Sequence, residues 1–439
     1  MMKRYLTLAF ALALGSAAIA QPCTTTRYAS DVFTNVTATT GITYGSNTAY
    51  NGTTTTLTLD LYQPTGDTAT KRPLIIWMHG GSFVGGASSD VDVTSLSNHF
   101  AKKGYVCASI NYRIGTASFD SVGLIPAVVR AVQDLKASIR FFYKDKATAN
   151  LYKIDTNNIF IGGSSAGAIA VLHAQYMKLT CEVNAWITPS ALATLGGLDG
   201  YSGNQCYSSR VNGVIDLCGA LARYSFLKAG DLPLCSMHGD SDKVVPYSRG
   251  MVNPGIPIMK VDGSRMVYAQ SLAVGVSDKF YSWPFAPHVP YAGTSASQLA
   301  YMDTTVNFVR DYLLERLGIT CTALQAPNSP IGTANLYAFT DCSTTVTMSC
   351  SSTGIEEHLI NLFEDVYPNP SSGIVNVVFS NNNATYAVEL FDITGRVVKS
   401  DITSGSGYTF EKGSLGAGVY FLKVSNHKGE ASVKKIVFY

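Results

Sequence analysis

The sequence predicts an α/β protein in which a mainly parallel sheet flanked by helices is followed by a small all-β sandwich domain. Three observations carry this. Over about residues 54–318, short continuous apolar runs alternate with longer runs of helical period, as expected when strands are covered on both faces by helices. From 320 to about 355 the composition turns to Ser, Thr, Cys, Asn and Pro and loses any sustained period. Beyond that, strand-length apolar runs are separated by Gly, Asn and Ser turns with no helical run between them.

In chain order, residues 57–62 alternate as an edge strand does, and 74–78 and 106–111 are continuous apolar runs of buried strands. Between those two, 90–103 reads as a helix stopped by Gly104. A second helix over 127–143 leads to a strand at 159–161, a third helix follows over 168–177, and strands are predicted at 214–217 and 234–237. Residues 303–317 form a closing amphipathic helix ended by Gly318. Strands of the last domain fall at 374–379, 387–391 and 419–424. The expected boundaries are 1–20 for a signal peptide, 21–318 for a catalytic domain, 319–358 for a linker and 359–439 for the β-sandwich.

A chain of 439 residues with 46% hydrophobic and 14% charged residues has the material for sizeable cores. With 32 Lys and Arg against 30 Asp and Glu, the net charge of +2 provides no field to attract nucleic acid or an acidic membrane. Lys3 and Arg4 precede an apolar run over 6–19 that ends in Ala18-Ile19-Ala20, the form of a cleaved export signal. The run is shorter than the roughly 20 apolar residues of a membrane span, so a mature protein beginning near Gln21 and free of a membrane span is expected. Nine cysteines in an exported chain favour some disulfides, and the odd number leaves at least one unpaired. Cys107 and Cys218 lie in strand-like runs as small hydrophobes, whereas Cys321, Cys342 and Cys350 sit in the Ser/Thr-rich stretch where a crosslink would replace a core.

The chemistry centres on Gly163-Ser164-Ser165-Ala166-Gly167, a Gly-x-Ser-x-Gly placed between a predicted strand and a predicted helix. A turn that tight forces its central residue into a strained conformation and exposes it at the helix N-terminus. Ser165 is therefore the candidate nucleophile. An oxyanion forming on a substrate carbonyl needs preorganised donors, which the Ala166 amide and the loop His79-Gly80-Gly81-Ser82-Phe83 after the 74–78 strand can supply.

With these motifs in place, the chain resembles the carboxylesterase and lipase branch of the α/β-hydrolase superfamily over roughly residues 54–318. Asn111-Tyr112-Arg113, Gln133-Asp134-Leu135-Lys136-Ala137 and Ile154-Asp155 continue the resemblance as scaffold features. It implies that Gly81 and Ser82 supply oxyanion amides, with Ser82 standing where a third Gly is usual, and that His79 ties the loop. It also implies that the acid of a catalytic triad is the second Asp of His238-Gly239-Asp240-Ser241-Asp242, namely Asp242, with Asp240 the alternative and His238 structuring the loop. Of the seven histidines, only His288 follows that acid and precedes the closing helix, in the order this family requires of its base. Cys181 to Arg210 lies where the superfamily inserts a cap.

Phe83, Tyr247, Trp283 and Phe285 flank these loops, and Phe83, Trp283 and Phe285 are taken as candidate substrate-binding residues. No metal-ligand set is present and the mechanism calls for no cofactor. Expected substrates are small acyl or aryl esters, polysaccharide esters, lipids or polyesters. A serine peptidase of the prolyl-oligopeptidase kind shares the order Ser, Asp, His, and a catalytically inactive hydrolase fold used for adhesion is a further alternative.

In the last domain, Val366-Tyr367-Pro368-Asn369-Pro370, Leu390-Phe391-Asp392-Ile393-Thr394-Gly395-Arg396 and Gly418-Val419-Tyr420-Phe421-Leu422-Lys423-Val424 resemble the C-terminal sorting domain of the type IX secretion system. The resemblance implies that the secretion machinery is a partner, and that the protein is secreted or attached to the surface of a Bacteroidetes-type bacterium.

Overall fold

The computed structural model describes residues 27–320, 322–326, 328, 334–337, 362–380, 384–427 and 431–439. The chain divides into two compact units, Met1–Cys350 and Ser351–Tyr439. The predicted signal peptide and Cys321, Cys342 and Cys350 lie outside the described residues. No helix among the described residues is long and apolar enough to cross a membrane.

The first unit runs β1 (Val36–Thr48), β2 (Thr54–Pro64), β3 (Arg72–Met78), α1 (Val91–Lys102), β4 (Val106–Ile110), α2 (Ser121–Ala147), β5 (Ile154–Ser164) and α3 (Ala166–Tyr176). Two short helices, α4 (Thr180–Val183) and α5 (Pro189–Thr194), precede β6 (Gly213–Leu217), β7 (Ala220–Leu221), β8 (Leu234–Gly239), β9 (Arg249–Met251) and β10 (Lys260–Gly263). Then come α6 (Ser264–Val274), β11 (Asp278–Trp283) and α7 (Ala296–Arg316). Eight strands form one sheet in the order β1-β2-β4-β3-β5-β6-β8-β11. It is antiparallel at β1/β2 and β2/β4 and parallel at every other pairing.

The pleat explains why the central strands read as unbroken apolar runs. Leu74, Ile76 and Met78 of β3 point into one core with Leu135 of α2 and Leu172 of α3, while Ile75 and Trp77 point into another with Phe100 of α1 and Phe308 of α7. Each such side chain contributes about 1.5–3 kcal/mol through burial. Asp120 caps α2 by accepting from the Gly123 amide at 3.0 Å, and Ser295 and Gln298 form a reciprocal cap on α7.

Residues 57–62, expected at the sheet edge, lie instead in a strand paired on both sides, because β1 covers it. β1 is rich in Thr and Gly and mostly exposed, so it carries no apolar pattern. At the opposite edge, β11 mixes polar and aromatic residues without a clean alternation and, among the described residues, pairs as a strand with β8 alone. The described parts of the expected linker are bonded to this first unit. Gln325 donates its amide to Asp311 Oδ2 at 2.8 Å, and Asn328 closes a two-bond clamp on the Ser282 backbone of β11, accepting from its amide and donating to its carbonyl, each at 2.7 Å. Cys107, Cys218 and Cys235 are free and buried.

The second unit contains a sheet of β12 (Phe363–Tyr367), β13 (Ile374–Phe379) and β16 (Gly407–Glu411). Its other sheet is built from β14 (Thr385–Phe391), β15 (Val397–Ser404), β17 (Gly418–Asn426) and β18 (Ala431–Phe438), ordered β15-β14-β17-β18. All pairings are antiparallel. Alternate residues, among them Val375, Val377, Tyr386, Val388, Leu422 and Val424, form a single core between the sheets, as in a β-sandwich.

Candidate active site

Ser165 occupies the turn between β5 and α3 with φ 55° and ψ −118°. That left-handed conformation is costly for a residue with a side chain, by about 1–3 kcal/mol, and persists because its surroundings enforce it. A Cβ on Gly163 would lie 2.3 Å from the Gly167 carbonyl carbon, and one on Gly167 would lie 2.2 Å from Met78 O. Both glycines are thus demanded by the turn. The Ser165 amide donates to Leu217 O of β6 at 3.0 Å, anchoring the turn to the sheet.

His288 Nε2 lies 2.7 Å from Ser165 Oγ, and His288 Nδ1 lies 2.6 Å from Asp242 Oδ2. A carboxylate can only accept, so Nδ1 carries the proton and Nε2 is left to accept from the serine hydroxyl. Asp242 Oδ1 accepts from the amides of Val244 and Val245 at 2.8 and 3.0 Å. Burial pushes the Asp242 carboxyl up, but hydrogen bonds from His238 and His288 outweigh it and hold the group well below the usual carboxylate range. Asp240 is elsewhere: its Oδ1 accepts from the Phe285 amide at 2.7 Å and so braces the loop that carries His288.

His238 stands behind Asp242. Its Nε2 is 3.2 Å from Asp242 Oδ2 and 3.1 Å from Val245 O, while its Nδ1 is 2.7 Å from Ser264 Oγ. Ser264 in turn donates to Asp216 Oδ2 at 2.7 Å. His238, Ser264 and Asp216 are all buried, and desolvation raises the Asp216 carboxyl against the opposing pull of His238 and Ser264.

The loop after β3 turns sharply, with φ of 98°, 54° and 63° at Gly81, Ser82 and Phe83. Val84 and Gly85 both donate to Gly81 O at 3.0 Å. Among the described residues, the backbone amides of Gly81, Ser82 and Ala166 have no hydrogen-bond partner. The loop presses on the nucleophile, since a Cβ on Gly80 would approach Ser165 Cβ to 3.2 Å. Tyr112 holds it from beneath: its hydroxyl lies 3.0 Å from His79 O and 3.2 Å from Gly80 O, and its ring stacks on His79 at 4.3 Å. His79 Nδ1 closes on Gly80 O at 2.8 Å, and burial lowers its affinity for a proton. His79 is therefore a loop tie, and Tyr112, read from sequence only as scaffold, is its brace.

Two depressions meet at Ser165 and Ser82. One is almost wholly apolar, lined by Phe83, Leu124, Val128, Ile169, Met177 and Trp186 together with Val252, Ile258, Met259 and Val261 from the β9/β10 hairpin and its turn. His173 also faces it and is pushed down to about 4 by burial, against a backbone hydrogen bond to Ile169. The other is mixed, more polar than the first, and contains His288, Gly80, Gly81, Asp90 and Asp92 beside Val91 and Val289. Of the candidate binding residues, only Phe83 belongs here. Trp283 is 2% exposed and packs with Tyr281, Tyr291 and Tyr301, because its β11 position points into the core. Phe285 is 89% exposed and lines neither depression, while its backbone amide donates a hydrogen bond to Asp240. The insert between α3 and β6 contributes Val183 and Trp186 to the apolar wall. Gln133 fastens it to α2 through the carbonyls of Leu195 and Gly197 at 2.8 and 2.6 Å.

The mainly parallel sheet, the strained serine between β5 and α3, and the loops after β8 and β11 that bring Asp242 and His288 to it give the first unit the α/β-hydrolase fold. Residues 59–252 match the family model described as BD-FAE, and residues 365–439 match the Secretion system C-terminal sorting domain. The chain is 36% identical over 118 residues to Carboxylesterase 3B of Mus musculus, covering 26% of this chain and 19% of that protein. It is 31% identical over 116 residues to Gut esterase 1 of Caenorhabditis elegans, covering 26% and 20%. Lipase 1 of Geotrichum candidum is 26% identical over 161 residues, covering 35% and 25%. The chain thus spans about a fifth to a quarter of the length of these curated relatives. Among solved structures, Thermogutta terrifontis esterase 2 phosphorylated by paraoxon aligns with a TM-score of 0.47 at 20% identity, covering 65% of this chain and 96% of that one.

Proposed function

We propose that the first unit hydrolyses carboxylic esters through an acyl-enzyme, with Ser165 as nucleophile, His288 as base and Asp242 as acid. The observation that carries this is the continuous hydrogen-bonded path from Ser165 through His288 to Asp242, set beside three amides that have no partner among the described residues. His288 Nε2 takes the Ser165 proton as Oγ attacks the ester carbonyl carbon, and Asp242 stabilises the imidazolium that forms. The amides of Gly81, Ser82 and Ala166 receive the oxyanion, each lowering the barrier by about 3–4 kcal/mol. Collapse returns the proton to the leaving alcohol, and water repeats the sequence on the acyl-enzyme.

The leaving oxygen must lie within reach of His288 Nε2, and His288 lines the polar depression and not the apolar one. The alcohol therefore occupies the polar side and the acyl group the apolar side, where Phe83 contacts it. Asp90 and Asp92 on the alcohol side select neutral or cationic alcohols over anionic ones. Small acyl and aryl esters, esters on polysaccharides, lipids and polyesters are the substrate classes to test. The sorting domain supports export through the type IX machinery of a Bacteroidetes-type bacterium, with the enzyme free or held at the cell surface.

The test is hydrolysis of a chain-length series of p-nitrophenyl esters by the full chain and by its Ser165→Ala variant. Activity in the first that vanishes in the second supports the reading. Equal activity in both, or none in a folded wild-type chain, removes it and shifts attention to peptide substrates.

A further inference from the structure

The apolar depression owes one wall to the hairpin of β9 and β10, and that hairpin is held from outside the hydrolase fold. Val252, Ile258 and Met259 lie between the two strands, joined by bonds from the Val252 amide to Met259 O at 3.0 Å and from the Ile258 amide to Val252 O at 2.8 Å. At the base of the hairpin, Arg249 of β9 pairs with Asp262 of β10, both through the backbone register and through Nη1 to Oδ1 at 3.0 Å. Asp262 is fully buried, and its other oxygen accepts from the Tyr224 amide at 2.9 Å and from the Tyr337 hydroxyl at 2.7 Å.

Tyr337 comes from the stretch after α7, well past the closing helix. Its ring lies 3.7 Å beneath the Arg249 guanidinium and meets the Tyr224 ring edge-on at 4.9 Å, and the Tyr224 hydroxyl bonds its carbonyl. One side chain thus ties a buried carboxylate, a cation and an aromatic ring at the root of the hairpin.

We infer that Tyr337 is a positioning residue for acyl specificity: by locking Arg249 and Asp262 it fixes the hairpin wall against which the acyl chain packs. The inference rests on the ester-hydrolase reading and on the assignment of the apolar side to the acyl group. Without the clamp, Val252, Ile258 and Met259 lose their fixed place, and long acyl chains lose contacts that an acetyl group never makes.

The experiment compares full-length wild type, Tyr337→Ala and Tyr337→Phe on p-nitrophenyl acetate and octanoate. Tyr337→Ala is expected to lower the octanoate-to-acetate ratio of kcat/KM by about fivefold or more, equivalent to one or two lost apolar contacts, through KM for octanoate. Its kcat on acetate stays within about twofold, because the Ser165 geometry is untouched. Tyr337→Phe keeps the ring under Arg249 but drops the hydroxyl bond, so it falls between the two and remains informative if the Ala variant does not fold. An unchanged ratio in either folded variant, or equal losses on both esters, overturns the inference. Octanoate binding measured by calorimetry in Ser165→Ala and Ser165→Ala/Tyr337→Phe chains separates the two readings. Weaker binding in the double variant from a protein that hydrolyses no ester would retain the wall and discard the esterase.

Discussion

His238 and His288 share one acceptor, Oδ2 of Asp242, at 3.2 and 2.6 Å. The first imidazole is buried and tied through Ser264 to Asp216; the second is in contact with Ser165. His238 thus fixes the orientation of the carboxylate on which His288 depends. Replacing His238 by Leu removes a charge-assisted bond of about 1.5–3 kcal/mol, so kcat should fall about tenfold or more. Because Val244 and Val245 still hold the other oxygen, activity should be reduced and not abolished, as steady-state kinetics alongside a melting curve will reveal.

Substitutions at the three central residues should differ in depth. Ser165→Ala and His288→Ala are each expected to lower kcat by about a million-fold, and Asp242→Asn by about ten-thousand-fold, with the double variant Ser165→Ala/His288→Ala no worse than either single one. Additive losses in single-turnover measurements would contradict a concerted triad.

Tyr112→Phe leaves the ring stacked on His79 but removes the hydroxyl from the carbonyls of His79 and Gly80. The loop bearing the Gly81 and Ser82 amides should loosen, lowering kcat by about tenfold while KM changes little, since the loss falls on transition-state charge. A change confined to KM would show that the loop serves binding instead.

His173 is fully buried and neutral, with Nδ1 2.7 Å from Ile169 O and Nε2 accepting from the Ala222 amide at 3.1 Å. Burial lowers it from 6.5 to about 4, so the unfolded chain takes up a proton first as pH falls. Above pH 6.5 both states are neutral and nothing is lost; below it, stability declines until the folded value near 4, by about 3 kcal/mol at most. Denaturant titrations from pH 7 to 4 on wild type and His173→Gln should show this component of the slope only in wild type.

The two aromatic residues near His288 should part company. Trp283→Ala is expected to cost about 3–5 kcal/mol in unfolding free energy because it empties a packed site. Phe285→Ala should stay within about 0.5 kcal/mol and leave the ester profile unchanged. Paired thermal unfolding and p-nitrophenyl ester assays distinguish them.

These contrasts show where the sequence was readable. Ser165, Asp242 and His288 come together because each sits in a local motif or is the only residue of its type in the right order, and such signals survive without knowledge of packing. Strands such as β3 and β4 were legible because both faces are buried, whereas β1 and β11, at the two edges, carry polar residues that blur their period. Trp283 was misjudged because proximity in sequence to His288 does not say which way a strand residue points. The hairpin wall, the His238 to Asp216 chain and the Tyr337 clamp are assembled from residues far apart in the chain, with no shared motif to announce them.

The amide clamp of Asn328 on Ser282 bears on how this protein meets other chains. β11 ends the eight-stranded sheet and would otherwise offer free donors and acceptors to any extended peptide. Asn328 engages both polar groups of Ser282, standing in for the next strand at one rung of the ladder. An intruding strand would have to displace that side chain to pair at Ser282, so the chain itself occupies this rung of the edge.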